Sequence, residues 1–210
     1  MVLRLLLISV CFLACNQSFA SYLLSEDQDL VSRSLGQKVQ YLVEDGEHIN
    51  FKSLSQNPDQ FNWKKTLTDT PNFGFNVSPH WFLMDLANES VSSVAWLLQI
   101  KYPLLDFIDV YLIKDTGKIE QWHTGDQRNY DTRTYDYRNF LFPIELETLE
   151  EAKLLIRVDN AGSMQVPMIL WDEKEFYKSE QKSSIPNGIF MGLFLVLIIY
   201  NFFLYIRTKD

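Results

Sequence analysis

The feature that most limits what this chain can fold into is an uncharged apolar run at residues 189–206. Together with Gly188, the run is just long enough to cross a bilayer once as a helix. All sides of such a helix are apolar, which argues against a buried helix of a soluble domain. Arg207 and Lys209 follow immediately, as expected for a cytoplasmic flank. The sequence therefore predicts a transmembrane helix at residues 188–206 and a cytoplasmic tail at 207–210.

A second apolar stretch lies at the other end of the chain. Residues 1–20 combine Arg4, an apolar run too short to span comfortably, and small residues up to Ala20, which is typical of a cleaved secretory signal peptide. Lipidation of Cys15 is an alternative. Cleavage after Ala20 removes both cysteines of the chain, Cys11 and Cys15. The mature domain is therefore expected to fold without a disulfide, on its hydrophobic core alone.

The segment between the two apolar ends is acidic. Residues 21–187 contain 16 basic and 26 acidic side chains, which gives a net charge of −10. This charge favours solubility and disfavours anionic ligands, and the chain contains no stretch rich in lysine and arginine that would bind a phosphate backbone. Nucleic-acid binding is therefore not expected.

Residues 37–172 are predicted to form an all-β domain. Short alternating stretches separated by turn sequences predict strands at residues 38–43, 81–86, 94–100, 107–113, 118–123, 140–146, 154–159 and 166–171. Pro143 and Pro167 are expected at edges, bulges or strand ends, because proline cannot donate to a β-ladder. Since strands and helices do not alternate, the expected fold is an antiparallel β-sandwich or jelly roll.

The flanking segments complete the predicted domain organisation. Residues 21–36 are polar and are expected to form a loose N-terminal lead-in. Residues 53–61 have serines and a proline in positions that suit a short helix or helical turn. Residues 173–187 are charged and form the connector between the β-domain and the membrane helix.

The sequence does not indicate an enzyme. His48, His80 and His123 lie in separate elements without metal-ligand spacing, so neither a metal nor another cofactor is expected. The chain carries no nucleophile elbow, phosphate-binding loop or nucleotide fingerprint. Carboxylates such as Asp109 and Asp126 could flank a glycosidic bond, but pairs of this kind arise by chance among 27 acidic residues.

The most informative stretch is residues 122–138, where arginines are interspersed with aromatic residues. Aromatic faces stack on sugar rings and other flat ligands, while the arginine fork holds carboxylates and hydroxyls. The candidate ligand-binding residues are Trp122, Asp126, Arg128, Tyr130, Arg133, Tyr135, Tyr137 and Arg138. The alternative is structural: the tyrosines cap sheet edges, and the arginines pair with Asp126, Asp131 and Asp136.

An ordered set of segments carries a family resemblance. The segments are residues 81–88 (WFLMDLAN), 102–112 (YPLLDFIDVYL), 124–126 (TGD), 138–143 (RNFLFP), 155–159 (LIRVD), Gly162 before 166–170 (VPMIL), 188–192 (GIFMG) and 200–205 (YNFFLY). From about residue 37 to the end, the chain resembles the type 2 periplasmic extracellular domain, with the first membrane helix, of bacterial seven-transmembrane receptors with diverse intracellular signalling modules (7TM-DISM).

The resemblance implies a jelly roll similar to carbohydrate-binding modules that senses a small extracellular ligand. In that family seven helices relay the state of the domain to a cytoplasmic output such as a diguanylate cyclase or a histidine kinase. This chain departs from the pattern because it ends at Asp210 after one helix. The expectation is therefore a truncated receptor, or an input protein that uses a signalling partner.

The expected partners follow from this interpretation. They are a small extracellular ligand such as a carbohydrate, the membrane, and a signalling partner or a second copy contacted through the helix. Asn201, polar at lipid depth, is the candidate helix–helix contact, although such a residue is also tolerated near the inner interface. The predicted location is the bacterial inner membrane, with the β-domain in the periplasm. The alternatives are a tethered carbohydrate-binding protein without a signalling role and a tethered glycan hydrolase.

Overall fold

The computed structural model describes residues 22–24, 32–46 and 48–208, so the predicted signal peptide lies outside the described residues. The strands are β1 (Tyr22–Leu24), β2 (Ser32–Ser34), β3 (Gln40–Val43), β4 (Lys64–Lys65), β5 (Asn72–Phe75), β6 (His80–Asn88), β7 (Val94–Ile100), β8 (Phe107–Lys114), β9 (Ile119–Thr124), β10 (Phe140–Leu146), β11 (Glu151–Asp159), β12 (Ser163–Gln165) and β13 (Met168–Asp172). The helices are α1 (Phe51–Gln56) and α2 (Glu173–Arg207), and short 3₁₀ turns cover Gly36–Lys38, Pro58–Gln60 and Tyr130–Thr132. The predicted all-β domain followed by one long apolar helix is confirmed.

Two antiparallel sheets make up most of the domain. The larger sheet has the strand order β4-β3-β6-β11-β8-β9, and β1 pairs in parallel with the last residues of β6. The smaller sheet has the order β10-β7-β13-β2, and β12 and β5 form a short two-stranded sheet. The jelly-roll connectivity expected from the resemblance stays a prediction.

The main hydrophobic core consists of one face of each sheet. On β8 the inward residues are Ile108, Val110 and Leu112, which alternate along the strand. On β10 of the smaller sheet, Phe140 and Phe142 belong to the same core. A period of two places every second side chain on one face of a strand, which is why the alternating segments form these two layers.

Both prolines highlighted in the sequence occupy positions that a β-ladder tolerates. Pro143 lies in β10, which is an edge strand of the smaller sheet. Pro167 directly precedes β13, and its carbonyl accepts a hydrogen bond from the Lys101 amide at 3.0 Å. The missing N–H of each proline is therefore not required by a central strand.

The loops at the two ends of the domain are tied together separately. At the lower end, defined by loops 71–79, 101–106, 125–139 and 160–167, the Asp126 amide donates to the Leu105 carbonyl at 2.7 Å. At the upper end, defined by turns 89–93 and 147–150, the Thr148 hydroxyl donates to the Val91 carbonyl at 3.3 Å.

Helix α2 contains both the predicted connector and the predicted span. It begins next to the smaller sheet, where the Asp172 carboxylate accepts a hydrogen bond from the Glu175 amide at 3.1 Å and caps the first turn. Phe176, in the second turn, is 2% exposed and lies in a cluster with Leu97 and Leu141. The helix then continues to Arg207 with Pro186 in its interior. It is long and apolar enough to cross a membrane, by length and composition, with a mean hydropathy of 2.4 over its most apolar 18-residue window.

Candidate functional site

The loop of residues 125–139 connects β9 of the larger sheet to β10 of the smaller sheet. Gly125 is its first residue and sets the backbone conformation at which the loop begins. Gly125 has a φ of 144°, which side chains rarely adopt. A Cβ at this position would overlap the backbone carbonyl of Asp106. The loop therefore starts from a rigid crossing over the 101–106 loop that only glycine allows.

Arg128 secures the same end of the loop. Its guanidinium donates to the carbonyls of Ile108 and Thr124, each at 2.9 Å, and forms an ion pair with Asp109 at 2.7 Å. It also lies over the Phe107 ring, 5.4 Å from the centroid. Arg128 thus binds a strand of the larger sheet, and its acidic partner is Asp109 instead of one of the loop aspartates.

The tip of the loop is organised around Arg133. Its guanidinium carbon lies 4.8 Å from the Tyr130 ring centroid and 4.6 Å from that of Phe140, so that the cation is held by two aromatic rings. It donates to the Tyr137 carbonyl at 2.9 Å. The Tyr130 hydroxyl in turn donates to the Asp136 carboxylate at 2.5 Å. The tip is therefore a small, mostly self-contained cluster.

Two buried polar atoms at this tip lack a partner. Within the described residues, Nε of Arg133 and the hydroxyl of Tyr137 are enclosed without a hydrogen bond. Glu180 and Arg138 lie near the Tyr137 hydroxyl without completing that bond. Burial raises the pKa of Tyr137, and the Glu180 carboxylate raises it further. An unsatisfied buried donor costs about 1–3 kcal/mol, so this packing is not the best that the loop's polar groups can achieve.

The loop rests on the first turns of α2. The Tyr137 ring meets Phe176 edge-on, with ring centroids 5.5 Å apart, and Tyr135 packs against the same cluster. One helical turn further on, Glu180 interacts electrostatically with Arg138, whose guanidinium lies 5.8 Å from the Tyr137 ring centroid. Positions four residues apart share a helix face, so Phe176 and Glu180 present one contact face to the loop.

The predicted ligand residues therefore fall into separate places. Tyr130, Arg133, Tyr135, Tyr137 and Arg138 come together between the loop tip and α2. Arg128 lies at the loop's first turn against the larger sheet. Asp126 is exposed at the lower end.

Trp122 and Asn201 lie apart from the loop cluster. Trp122, on β9, packs against the main core with its ring centroid 6.1 Å from that of Phe142. Asn201 lies far along α2, where its side-chain amide donates to the Leu197 carbonyl of the same helix at 2.8 Å. Asn201 is exposed, as expected of a residue in the predicted span.

A second polar cluster, on the outer face of the larger sheet, is absent from the sequence prediction. Arg157 of β11 donates through Nε and Nη2 to the two Glu44 carboxylate oxygens, at 2.9 and 3.3 Å. The indole N–H of Trp81 donates to the same carboxylate at 2.5 Å. Burial would raise the pKa of Glu44, but Arg157 and Trp81 outweigh it and lower the pKa.

The ionic network continues across the neighbouring strands. Asp109 lies opposite Arg157 in the β8–β11 register, and its carboxylate accepts a hydrogen bond from Nδ1 of His123 at 2.7 Å. Beside it, Tyr111 stacks on Phe51 of α1 with ring centroids 4.1 Å apart. Asp109, one of the two carboxylates singled out for glycan hydrolysis, is thus already paired with His123 and Arg128.

The sequence contained a signal for this network. The alternation on β8 puts Asp109 and Tyr111 on the face opposite the core, but strand register decides which charges they meet. Glu44 and Arg157 are 113 residues apart in the chain. Without knowledge of the strand order, their pairing cannot be read from spacing.

These features define a class of protein before any comparison is made: a two-sheet β-domain joined without a break to one candidate membrane helix. A sequence model of the 7TMR-DISM extracellular 2 family matches residues 36–172. The chain belongs to this family, as the resemblance predicted. No curated protein matches it.

Proposed function

We propose that this chain is the ligand-sensing input part of a membrane-anchored bacterial receptor, with its β-domain in the periplasm and α2 crossing the inner membrane. The observation that carries the proposal is the contact between the 125–139 loop and α2. Phe176 packs against Tyr135 and Tyr137, and the same helix runs on to Arg207. A change at the loop therefore reaches the membrane segment through one continuous helix.

The proposed mechanism is a choice between two arrangements of the loop tip. In the arrangement described here, Arg133 Nε and the Tyr137 hydroxyl are buried without partners. A ligand that supplies acceptors to these two atoms favours a different conformation of residues 133–138. Because Tyr137 contacts Phe176, this change also alters how α2 packs against the loop. A ligand shifts such an equilibrium only by its difference in affinity for the two arrangements.

The chemistry of the tip favours a small ligand with a flat apolar face and several acceptor oxygens. Tyr130 is exposed and offers a ring for stacking, while Arg133 and Arg138 offer guanidinium donors. Sugars combine these properties, and sugar acids add a carboxylate. We therefore propose a carbohydrate-like ligand, with no catalytic role for the domain.

The test uses the full chain in detergent micelles with a panel of neutral disaccharides and sugar acids. We expect at least one compound to bind, and Arg133→Ala and Tyr137→Ala to weaken its binding about tenfold each, because each removes a donor and a ring contact. Tyr177→Ala, an exposed aromatic residue in the same region, is the matched control and should bind normally. Normal binding by both loop variants would place the site elsewhere.

Coupling to the helix is measured separately by hydrogen exchange. When a ligand binds, we expect amide exchange at residues 133–138 and 173–180 to change together, because the two segments share the Phe176 contact. Phe176→Ala should separate the two responses while leaving the β6 and β11 amides protected. Binding with unchanged exchange at 173–180 would instead indicate a tethered binding protein without a signalling role.

A further inference from the structure

The direction of α2 identifies which end of the domain lies nearest its apolar run. The helix starts where Asp172 pairs with Trp96, and Phe176 then contacts Leu141. Glu180 next interacts with Arg138, which precedes β10 at the lower end. The helix therefore advances along the smaller sheet towards the lower end and leaves the domain there.

Little length separates this end from the predicted span. Ile189, the first residue of the apolar run, lies nine positions after Glu180, which is about 14 Å of helix. The headgroup layer on each side of a bilayer occupies about 5–8 Å of that distance. The lower end is therefore within about 10 Å of the lipid headgroups if α2 crosses the membrane upright.

Large apolar side chains project from the loops at this lower end. Phe75, the last residue of β5, is 88% exposed; Val77, just after β5, is 77% exposed; and Leu104, in the loop before β8, is 61% exposed. Tyr130 of the 125–139 loop is exposed on the same end. These four residues are called the lower apolar residues below. Exposed apolar side chains at a membrane-proximal surface are typical of interfacial insertion, in which tyrosine is also favoured.

We propose that the lower apolar residues insert into the outer headgroup region of the bilayer that α2 crosses, so that the domain rests on the lipid surface. This inference depends on the proposed membrane span of α2. The occupant is zwitterionic lipid: exposed Asp126, Asp131 and Asp136 at this end outnumber exposed Lys101 and Arg138, so anionic headgroups are repelled.

The upper end supplies a matched comparison within the same molecule. Val91 is 93% exposed and Leu149 is 69% exposed, on the two turns that the Thr148–Val91 hydrogen bond joins. Their exposure is at least as high as that of Leu104 at the lower end, but they lie at the end of the domain away from the helix exit. Labels on these two positions therefore report an equally exposed site that lipid should not reach.

The experiment uses the full chain, with Cys11→Ser and Cys15→Ser, in phosphatidylcholine nanodiscs that contain headgroup- or acyl-labelled nitroxide lipid. Single labelled cysteines replace Phe75 or Leu104 at the lower end, Val91 or Leu149 at the upper end, and Leu195 in α2. We expect headgroup nitroxide to quench the Phe75→Cys and Leu104→Cys labels about twofold more than the upper-end labels. Phosphatidylglycerol nanodiscs should reduce this difference.

The label in α2 separates the two ways in which the inference can fail. Acyl nitroxide should quench Leu195→Cys strongly. If it does so while both lower-end labels match the upper-end labels, the span is real and the lipid contact is wrong. If Leu195→Cys is not quenched, the proposed span is wrong, and the lipid contact fails with it.

Discussion

The outer faces of the two sheets are covered by other segments of the chain in different ways. On the larger sheet, residues 49–63 fold over the face locally, and the Glu44 carboxylate is bound by both Arg157 and Trp81. On the smaller sheet, the cover consists of the 125–139 loop and α2, and it leaves Arg133 Nε and the Tyr137 hydroxyl without partners.

The difference identifies the part of the domain that is free to change. A cover whose buried charges are all paired loses much when any one of them moves. A cover with unsatisfied buried donors loses fewer hydrogen bonds when it moves, and it gains new ones if those donors find acceptors. The smaller sheet's cover also includes the start of α2, so the least satisfied packing lies at the beginning of the candidate membrane helix.

The strongest test of the comparison is Arg157→Met. This change leaves the Glu44 carboxylate, whose side chain is 5% exposed, without its guanidinium partner. We expect the free energy of unfolding to fall by about 3 kcal/mol, near the range found when one partner of a buried pair is removed. Urea denaturation of the full chain in micelles measures it. Arg133→Met, in the other cover, should cost much less; equal costs would contradict the comparison.

Acidification tests the Glu44–Arg157 pair by protonating the Glu44 carboxylate. Because Arg157 and Trp81 hold the pKa of Glu44 below its ordinary value of 4.5, the stability that Glu44 contributes is present above pH 4.5 and is lost as the pH falls through the lowered pKa. The stability difference between the wild-type chain and Glu44→Gln should therefore shrink below pH 4.5. A difference that stays constant down to pH 3 would mean that the carboxylate is not held by the pair.

The next largest effect is expected at the start of the loop. Gly125→Ala forces a strained φ and an overlap with the Asp106 backbone, which should cost about 2–3 kcal/mol. Gly117→Ala is the matched control, since Gly117 also has a positive φ but open space around it, and it should cost about 1 kcal/mol. Equal losses in urea denaturation would show that the crossing over the 101–106 loop is not tight.

A smaller, pH-dependent effect is expected at His80, which also has an unpartnered buried polar atom. Its Nδ1 donates to the Ser78 carbonyl at 2.8 Å, while Nε2 is enclosed beside Phe73. Burial lowers the pKa of His80 below 6.5, although Ser78 and Asp45 act in the other direction. The unfolded chain therefore binds a proton first, and stability should fall as the pH drops below 6.5.

His80→Phe should flatten the fall in Tm between pH 7 and pH 5. The exposed His48→Gln variant is the control and should keep the wild-type slope. An unchanged slope in His80→Phe would mean that another group causes the pH dependence. His80 faces the core of the sandwich and not α2. The variant therefore compares an unpartnered atom on the larger sheet with the unpartnered atoms in the cover of the smaller sheet.

The smallest effect is expected for Tyr130→Phe. This change removes the hydrogen bond to Asp136, which is exposed, and should cost about 0.5 kcal/mol. Hydrogen exchange at residues 130–138 is the more sensitive measurement and should accelerate locally. Global loss of protection would mean that the loop tip supports the sheets, contrary to its assignment as a separate cover.

Much of the fold was predictable because alternation is a local signal. The bounds of β7 and β10 agree with the prediction. The composition of the candidate site was less predictable, because contacts between segments far apart in the sequence determine which residues meet there. The sequence placed arginines and tyrosines in one loop but gave no sign that Phe176 would be their partner, or that Arg128 would pair with Asp109.

Pro186 gives helix α2 a mechanical property of its own. Ile206 lies thirty positions after Phe176, so a rigid helix would be a lever of about 45 Å that turns a small rotation at the docked turn into a displacement of several ångströms at its far end. Proline removes one backbone hydrogen bond and weakens the helix at that point. Bending stiffness is therefore lowest just before the apolar run at residues 189–206, and torque applied by the domain is transmitted along α2 better as rotation about the helix axis than as tilt.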